Sequence, residues 1–255
     1  MRRIAALGLA LIGSTVLIAV SAAGASAAEP AFYECKKLTK NAEGKYEGGF
    51  TNKACSEASG THEGKYELKE GIGTKPTIKG KSGHAELESS LGSVSCTSSK
   101  SIGQLQTPTH IGEIHVSYKG CTSGGKKCNS AGAKAGSIET KELQGDLGYL
   151  NKAAKEAGVL ITPVGGGNLA EFNCEGLEIS TKGGVIGQAT PVNEFTKLGE
   201  LTFKKSGSAK QEFTKFEGEA GSHELETTFV GIGGPVSSSQ EQTNVQKGGF
   251  LEIKA

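Results

Sequence analysis

The sequence has 255 residues, with 28 lysines and arginines against 27 acidic residues, a formal net charge of +1 and no tryptophan. Both arginines, Arg2 and Arg3, lie at the extreme N-terminus, and beyond them every basic residue is a lysine or a histidine. Arginine is the usual residue for bidentate recognition of phosphate and guanine, so this composition argues against nucleic acid as a partner.

The chain is poor in the residues that build large cores and calcium sites. Apolar residues make up 35% and aromatic residues 5%, against 39 glycines, which predicts short strands, many turns and a thin core. Asp146 is the single aspartate, so the Asp-rich calcium loops of many exported proteins cannot be built. Such a chain needs support from cross-links.

Residues 1–28 have the three parts of a secretory signal peptide. Arg2 and Arg3 form the positive region, 4–20 the apolar region, and the sequence ASA at 25–27 predicts cleavage after Ala27 or Ala28. The alternative is an uncleaved membrane anchor, because 4–20 is about the minimum length of a spanning helix. No cysteine stands directly after the predicted cleavage site, where a lipid anchor would be attached, and the chain does not end in an apolar tail. We therefore expect a secreted, extracellular product without a lipid anchor or a membrane segment.

The product is predicted to have two parts. Residues 29–70 form a small module closed by a Cys35–Cys55 disulfide, and the main domain covers 71–255. The boundary lies near the glycine-rich stretch 71–81, GIGTKPTIKGK.

Alternation of apolar and polar residues predicts strands throughout the main domain. In EIHVSYK at 113–119, Ile114, Val116 and Tyr118 share one face. Val185 and Ile186 are expected to form a short buried strand, and the similar stretches GHAELESS and GSHELETT two equivalent strands. Further strands are expected at 84–96, 143–150, 159–162, 172–179, 201–204, 223–230 and 250–254. Glycine- and serine-rich turns separate them, so the fold class is all-β, an antiparallel sandwich or barrel.

One segment also fits a short helix. Leu143, Leu147 and Leu150 have helical spacing, but the glycines at 145 and 148 favour a strand up to Leu150. A short helix is then expected over 152–157, capped by Asn151 and stopped at Gly158.

Six cysteines in an exported chain indicate structural disulfides, and six allow fifteen pairings. Proximity in the sequence favours Cys35–Cys55 and Cys121–Cys128, which leaves Cys96–Cys174 as the long-range bridge. A zinc or redox site would need close C-x-x-C or Cys/His pairs, and the sequence contains none.

The motifs of common active sites are incomplete. GCTSGGKK at 120–127 matches the start of a phosphate-binding loop, but Lys127 stands where Ser or Thr must hold magnesium. A hairpin tip is expected there, and no nucleotide. The histidines form neither H-E-x-x-H nor H-x-H, so no metal or cofactor is predicted. A two-carboxylate glycosidase could use Glu86 with Glu224 or Glu226, although no pattern singles a pair out.

Four stretches together carry a resemblance: GCTSGGKKC, IETKELQGDLGYL, FNCEGLEI and GGVIGQATPVN. With the N-terminal block FYECKKLTKNAEGKYEGGFTNKAC, they resemble a group of secreted proteins that occur as many paralogues in soil actinobacteria. That group has no established activity. The resemblance implies secretion and a shared disulfide fold, and it carries over no catalytic residue.

These patterns favour a non-enzymatic function. We expect an extracellular or envelope-associated binding or structural protein whose partner belongs to the cell envelope or the surroundings. One alternative is a secreted hydrolase of polysaccharide or cell wall that uses glutamates as acid and base. A second is an inhibitor-like module that presents the Cys35–Cys55 loop.

Overall fold

The computed structural model describes residues 29–71, 75–207 and 209–255, and the predicted signal segment lies outside them. The described chain consists of strands and loops without a helix, which confirms the all-β class. It therefore offers no helix long and apolar enough to cross a membrane.

Eighteen strands make up the described part of the chain, and every pairing between them is antiparallel. In chain order they are β1 (Ala31–Lys37), β2 (Tyr66–Glu70), β3 (Thr77–Ser82), β4 (Ala85–Ser89), β5 (Gly92–Cys96), β6 (Ser98–Thr107), β7 (His110–Lys119), β8 (Thr122–Ser123), β9 (Lys126–Asn129), β10 (Ser137–Glu139), β11 (Leu143–Asn151), β12 (Glu156–Pro163), β13 (Asn168–Cys174), β14 (Leu177–Gly183), β15 (Val185–Thr190), β16 (Thr196–Phe203), β17 (Leu225–Phe229) and β18 (Gly233–Lys254).

Eight of these strands close into an antiparallel barrel. Going round it, β3 pairs with β6, β6 with β7, β7 with β11 and β11 with β12. The circle continues from β12 to β15, β16 and β18, and β18 returns to β3. A closed barrel leaves no edge strand exposed, which removes the commonest route to aggregation of β-proteins.

The extra strands form a second ring that shares β18 with the barrel. From β18 the pairings run to β4, β5, β8, β9, β13, β14 and β17, and back to β18. The N-terminal half of β18 belongs to this second ring and its C-terminal half to the barrel. One continuous strand of 22 residues therefore joins the two parts.

Each ring encloses its own apolar core. Ile114, Val159 and Val185 belong to the cluster inside the barrel, whereas Val94 and Phe172 belong to the cluster of the second ring. Strand β7 contributes to both clusters, because Val116 packs against the first and Tyr118 against the second. The predicted face of Ile114, Val116 and Tyr118 is therefore confirmed.

A bulge in β7 explains how this strand keeps its apolar face inward. Opposite β11, Leu143 pairs with Ile114 and Gly145 with Ile111, so β7 uses one residue more than its partner. Glu113 takes a positive φ of 53° and is exposed at this point. The extra residue places Ile111 and Ile114 on the same side of the sheet, and both are buried.

The N-terminal segment is attached to the barrel strand β18. Strand β1 pairs with β2 on one side and with the end of β18 on the other, where Ala31 lies opposite Lys254. Cys35 and Cys55 are bonded to each other, as expected. The division of the chain at residue 70 stays a prediction.

The predicted helix over 152–157 is wrong. Residues Lys152 to Lys155 form the turn between β11 and β12. The Asn151 side chain does accept a hydrogen bond from the Ala154 amide at 2.9 Å, as a helix cap would. The helix cannot continue, because Ala157 and Gly158 pair on both sides within the sheet.

The similar stretches at 83–90 and 221–228 do hold equivalent positions. Strand β4 pairs with β18 on one side, and strand β17 pairs with it on the other. Ser238 of β18 lies opposite one residue of each strand. The strand expected at 84–96 is a hairpin of two strands, and so is the one at 172–179. The polar stretch 237–247 had no strand assigned to it, yet it forms the middle of β18.

The loop between β16 and β17 covers the outer face of the barrel. The Phe216 ring lies over Gly148 of β11, so that a Cβ at Gly148 would come within 2.5 Å of the ring. The backbone of the loop is attached by a hydrogen bond from the Glu217 amide to the Tyr149 carbonyl at 2.7 Å. Gly148 is therefore required by packing.

We expect Gly148→Ala to lower the free energy of unfolding by about 1–3 kcal/mol, because the methyl group displaces the Phe216 ring. Urea unfolding followed by circular dichroism measures this loss. Gly221→Ala is the matched control, because Gly221 lies in the same loop and a Cβ added there would meet no atom within 4 Å. Equal stability of both variants would contradict the packing role of Gly148.

Candidate ligand-binding cavity

The barrel interior is a cavity of about 230 Å³ with mostly apolar walls. Its lining comes from both cores, for example Val159 and Val185 from the barrel and Val94 and Phe172 from the second ring. The cavity therefore extends from inside the barrel towards the second ring.

Exposed lining residues are concentrated where β15 connects to β16. Four of its lining residues in this region, Thr190, Glu194, Lys197 and Glu200, are exposed to solvent. Pro191 lies beside them, also in the lining. This end of the barrel is therefore the entrance through which a small molecule would pass.

Some of the residues that line the cavity are small. Gly103 on β6, Ala189 on β15 and Gly199 on β16 all line the cavity. Small barrels are normally filled by their inward side chains, or hold one small ligand in the space that remains. Because the chain has no tryptophan and few other aromatic residues, it lacks the largest side chains that could fill the barrel.

One wall of the cavity is polar and is formed by β18. Gln240, Gln242, Asn244 and Gln246 alternate along this strand and all line the cavity. The Gln242 amide donates to Ser99 Oγ at 2.8 Å and to Asn244 Oδ1 at 2.7 Å. Buried amides need such partners, so this network fixes the side chains in place.

Tyr118 extends this polar wall to the deep end of the cavity. Its hydroxyl accepts a hydrogen bond from Gln240 Nε2 at 3.0 Å. Burial raises the pKa of Tyr118 to about 12, and the Gln240 hydrogen bond opposes the shift. The phenol is therefore neutral at physiological pH and able to donate its own hydrogen.

This shift predicts a loss of stability in alkali. Because the folded-state pKa of Tyr118 lies above the unfolded value of 10.0, its contribution is complete below pH 10 and is lost as the pH rises towards 12. Between pH 10 and pH 12 the free energy of unfolding of the wild type should fall by about 2–3 kcal/mol relative to that of Tyr118→Phe. Urea unfolding of both proteins at a series of pH values measures the difference. Parallel pH profiles would contradict a buried phenol.

The other two disulfides differ from the sequence prediction. Cys96 is bonded to Cys121 and Cys128 to Cys174, so the expected Cys121–Cys128 and Cys96–Cys174 bridges are wrong. Cys121 and Cys128 are indeed neighbours in the predicted hairpin, where the Cys128 amide donates to the Cys121 carbonyl at 2.9 Å. Each side chain is nevertheless bonded to a cysteine of an adjacent strand, because pairing in the ring brings Cys174 directly opposite Cys128.

Both bridges lie where the second ring has its shortest pairings. Strands β5 and β8 share a single residue pair, Ser95 with Thr122, next to the Cys96–Cys121 bond. Strands β9 and β13 share two pairs, one of which is Cys128 with Cys174. Covalent bonds thus close the ring where few hydrogen bonds do so.

We expect the double variant Cys128→Ser/Cys174→Ser to lose about 2–4 kcal/mol of unfolding free energy, because the bond closes a long loop. Peptide mapping without reduction tests the pairing itself, and urea unfolding tests its contribution. A peptide that joins Cys121 to Cys128 in native protein would contradict the structure.

The other candidate residues are not grouped into one site, although Glu86 is also among the lining residues of the cavity. Glu86 and Glu88 approach Lys205 Nζ at 3.6 and 2.9 Å, and Glu241 completes this group at 3.2 Å. Hydrogen bonds to Glu88 and Glu241 raise the pKa of Lys205. The cluster links the end of β16 to β4 and β18.

The remaining glycosidase candidates lie apart from this cluster. Glu226 pairs with Lys182 at 3.2 Å, and Glu224 lies just before β17 and is exposed. Of the histidines, His110 forms a pair with Asp146 at 2.6 Å. Within 29–71, 75–207 and 209–255, no group of three His, Cys, Asp or Glu side chains is placed to hold a metal ion.

The cavity and its polar wall were not predicted from the sequence, although Tyr118 and Val185 were expected on buried strand faces. The signal for the polar wall is present in QEQTNVQ at 240–246, where the amides recur at every second position, the period of a strand.

Comparison with protein-family models, curated proteins and solved structures finds no match. The resemblance to secreted actinobacterial proteins stays a prediction.

Proposed function

We propose that this chain is an exported binding protein that holds a small apolar ligand inside its barrel. The observation that carries the proposal is the cavity of about 230 Å³ with apolar walls and a solvent-exposed entrance. Ligand sites in proteins are typically concave, mostly apolar and equipped with a few placed polar groups. The polar wall of β18 provides such groups.

The energetic cost of the cavity supports a role in binding. On the scale of closed core cavities, roughly 24 cal/mol per Å³, a space of about 230 Å³ corresponds to an upper bound of about 5.5 kcal/mol. The net stability of a whole domain is about 5–15 kcal/mol. A ligand that fills the space would recover much of this cost.

The cross-links support export. Three disulfides involve all six cysteines, and such bonds persist in oxidising compartments outside the cytosol. The predicted signal peptide at residues 1–28 leads to the same compartment. The ligand would then be a small apolar molecule of the cell envelope or the surroundings.

The proposal is tested with residues 29–255, the chain without the predicted signal peptide. This protein is titrated with the neutral fluorophore N-phenyl-naphthylamine. We expect saturable binding with an increase in fluorescence. Ala189→Leu adds a larger side chain to the cavity wall and should weaken binding by about tenfold.

Gln188→Leu is the matched control, because residue 188 neighbours Ala189 on β15 and does not line the cavity. It should bind the fluorophore as the wild type does. Circular dichroism establishes that both variants are folded. A folded wild type that does not bind the fluorophore, or equal binding by both variants, would overturn the proposal.

A further inference from the structure

The polar wall of the cavity contains side chains whose hydrogen bonds are not used within the protein. Gln242 and Asn244 are engaged with each other and with Ser99. In contrast, the Gln246 amide and the Ser101 hydroxyl form no side-chain hydrogen bond with any residue that the structure describes. Both residues line the cavity.

These two side chains converge at one place on the wall. Gly80 of β3 lies between them, because it pairs with Ser101 of β6 on one side and with Gln246 of β18 on the other. A Cβ at Gly80 would collide with Ser101 Oγ and lie 2.8 Å from Gln246 Oε1. The lack of a side chain at Gly80 thus lets the amide and the hydroxyl approach each other over the backbone of β3.

The position of this pair is near the entrance. Gln246 lies opposite Gly199 of β16, and Gly199 also lines the cavity. The deep end has a different donor, since the Tyr118 hydroxyl accepts from Gln240 and keeps its own hydrogen for another partner. Away from β18 the cavity wall is mainly apolar, with Val159 and Val185 among its residues.

The charged residues of the lining oppose an anionic ligand. They are three glutamates, Glu86, Glu194 and Glu200, and one lysine, Lys197, and Glu86 is already paired with Lys205 at 3.6 Å. Glu194 and Glu200 lie with Lys197 at the entrance, so the formal charge of these three residues is −1. A carboxylate bound between Gln246 and Ser101 would lose part of its hydration without a net positive charge in the lining to compensate, which is unfavourable.

We propose that the ligand is an uncharged amphiphile: an apolar chain or ring system with a hydroxyl or carbonyl oxygen that binds between Gln246 and Ser101. The amide and the hydroxyl can each donate to such an oxygen, and the amide can also accept from a ligand hydroxyl. This inference rests on the proposed function and names the ligand class for the same cavity.

Competition against bound N-phenyl-naphthylamine tests the ligand class. Dodecanol and dodecanoate share the same chain and differ in the head group, and the pH is kept well above the carboxyl pKa. We expect dodecanol to displace the fluorophore at about tenfold lower concentration than dodecanoate. Equal or tighter binding of dodecanoate would overturn the inference.

Variants of the wall test the position of the head group. Gln246→Leu keeps the side-chain size, and we expect it to weaken dodecanol about three- to tenfold, the effect of one hydrogen bond, with little change for the fluorophore. Lys247→Gln, at the next and exposed position of β18, should change neither affinity. Unchanged dodecanol affinity in a folded Gln246→Leu protein would overturn the assignment.

The cavity function and the ligand class can fail separately. Absence of fluorophore binding in the folded wild type would overturn the cavity function and this inference together. Fluorophore binding without a preference for dodecanol would overturn the ligand class and leave the cavity function standing. The wild-type comparison needs no variant, so it decides the ligand class even if Gln246→Leu does not fold.

Discussion

The register of β18 is the constraint on which the rest of the structure depends. This strand pairs with β1, β3, β4, β16 and β17, and it is the strand that the two closed circles of pairings have in common. Side chains alternate along a strand, so a slip by one residue would turn every inward side chain outward. The exposed Glu241, Thr243 and Val245 would then replace Gln242 and Asn244 in the interior.

The polar character of β18 explains how a thin-cored chain keeps a cavity. Apolar residues at these positions could collapse into the space, whereas Gln242 and Asn244 are held at the wall by hydrogen bonds to Ser99 and to each other. The same feature positions Gln246 to meet a ligand. The disulfides act at the other side of the second ring, where Cys96–Cys121 and Cys128–Cys174 join strands that share one and two residue pairs.

Much of the fold could be predicted from the sequence, but little of the candidate site. Alternation correctly indicated the face of Ile114, Val116 and Tyr118, because burial on one side of a strand leaves a period of two. The amides of β18 have the same period but do not indicate a buried face, since glutamine and asparagine usually lie at the surface. The cysteine pairing failed because proximity along the chain brought Cys121 and Cys128 into one hairpin, whereas their bonds follow the neighbouring strands.

By itself the sequence determined the all-β class and most strand positions, because these depend on local alternation and turn residues. Proximity along the chain also indicated the Cys35–Cys55 bond, but the same criterion failed for Cys121 and Cys128. Only the tertiary structure decided the closure into a barrel, the other two disulfides and the cavity. Those features depend on pairing between distant segments, such as β3 with β18, whose partners no local pattern specifies. The glycine at 148 illustrates the difference: locally it only disfavours a helix, and in the fold it makes room for Phe216.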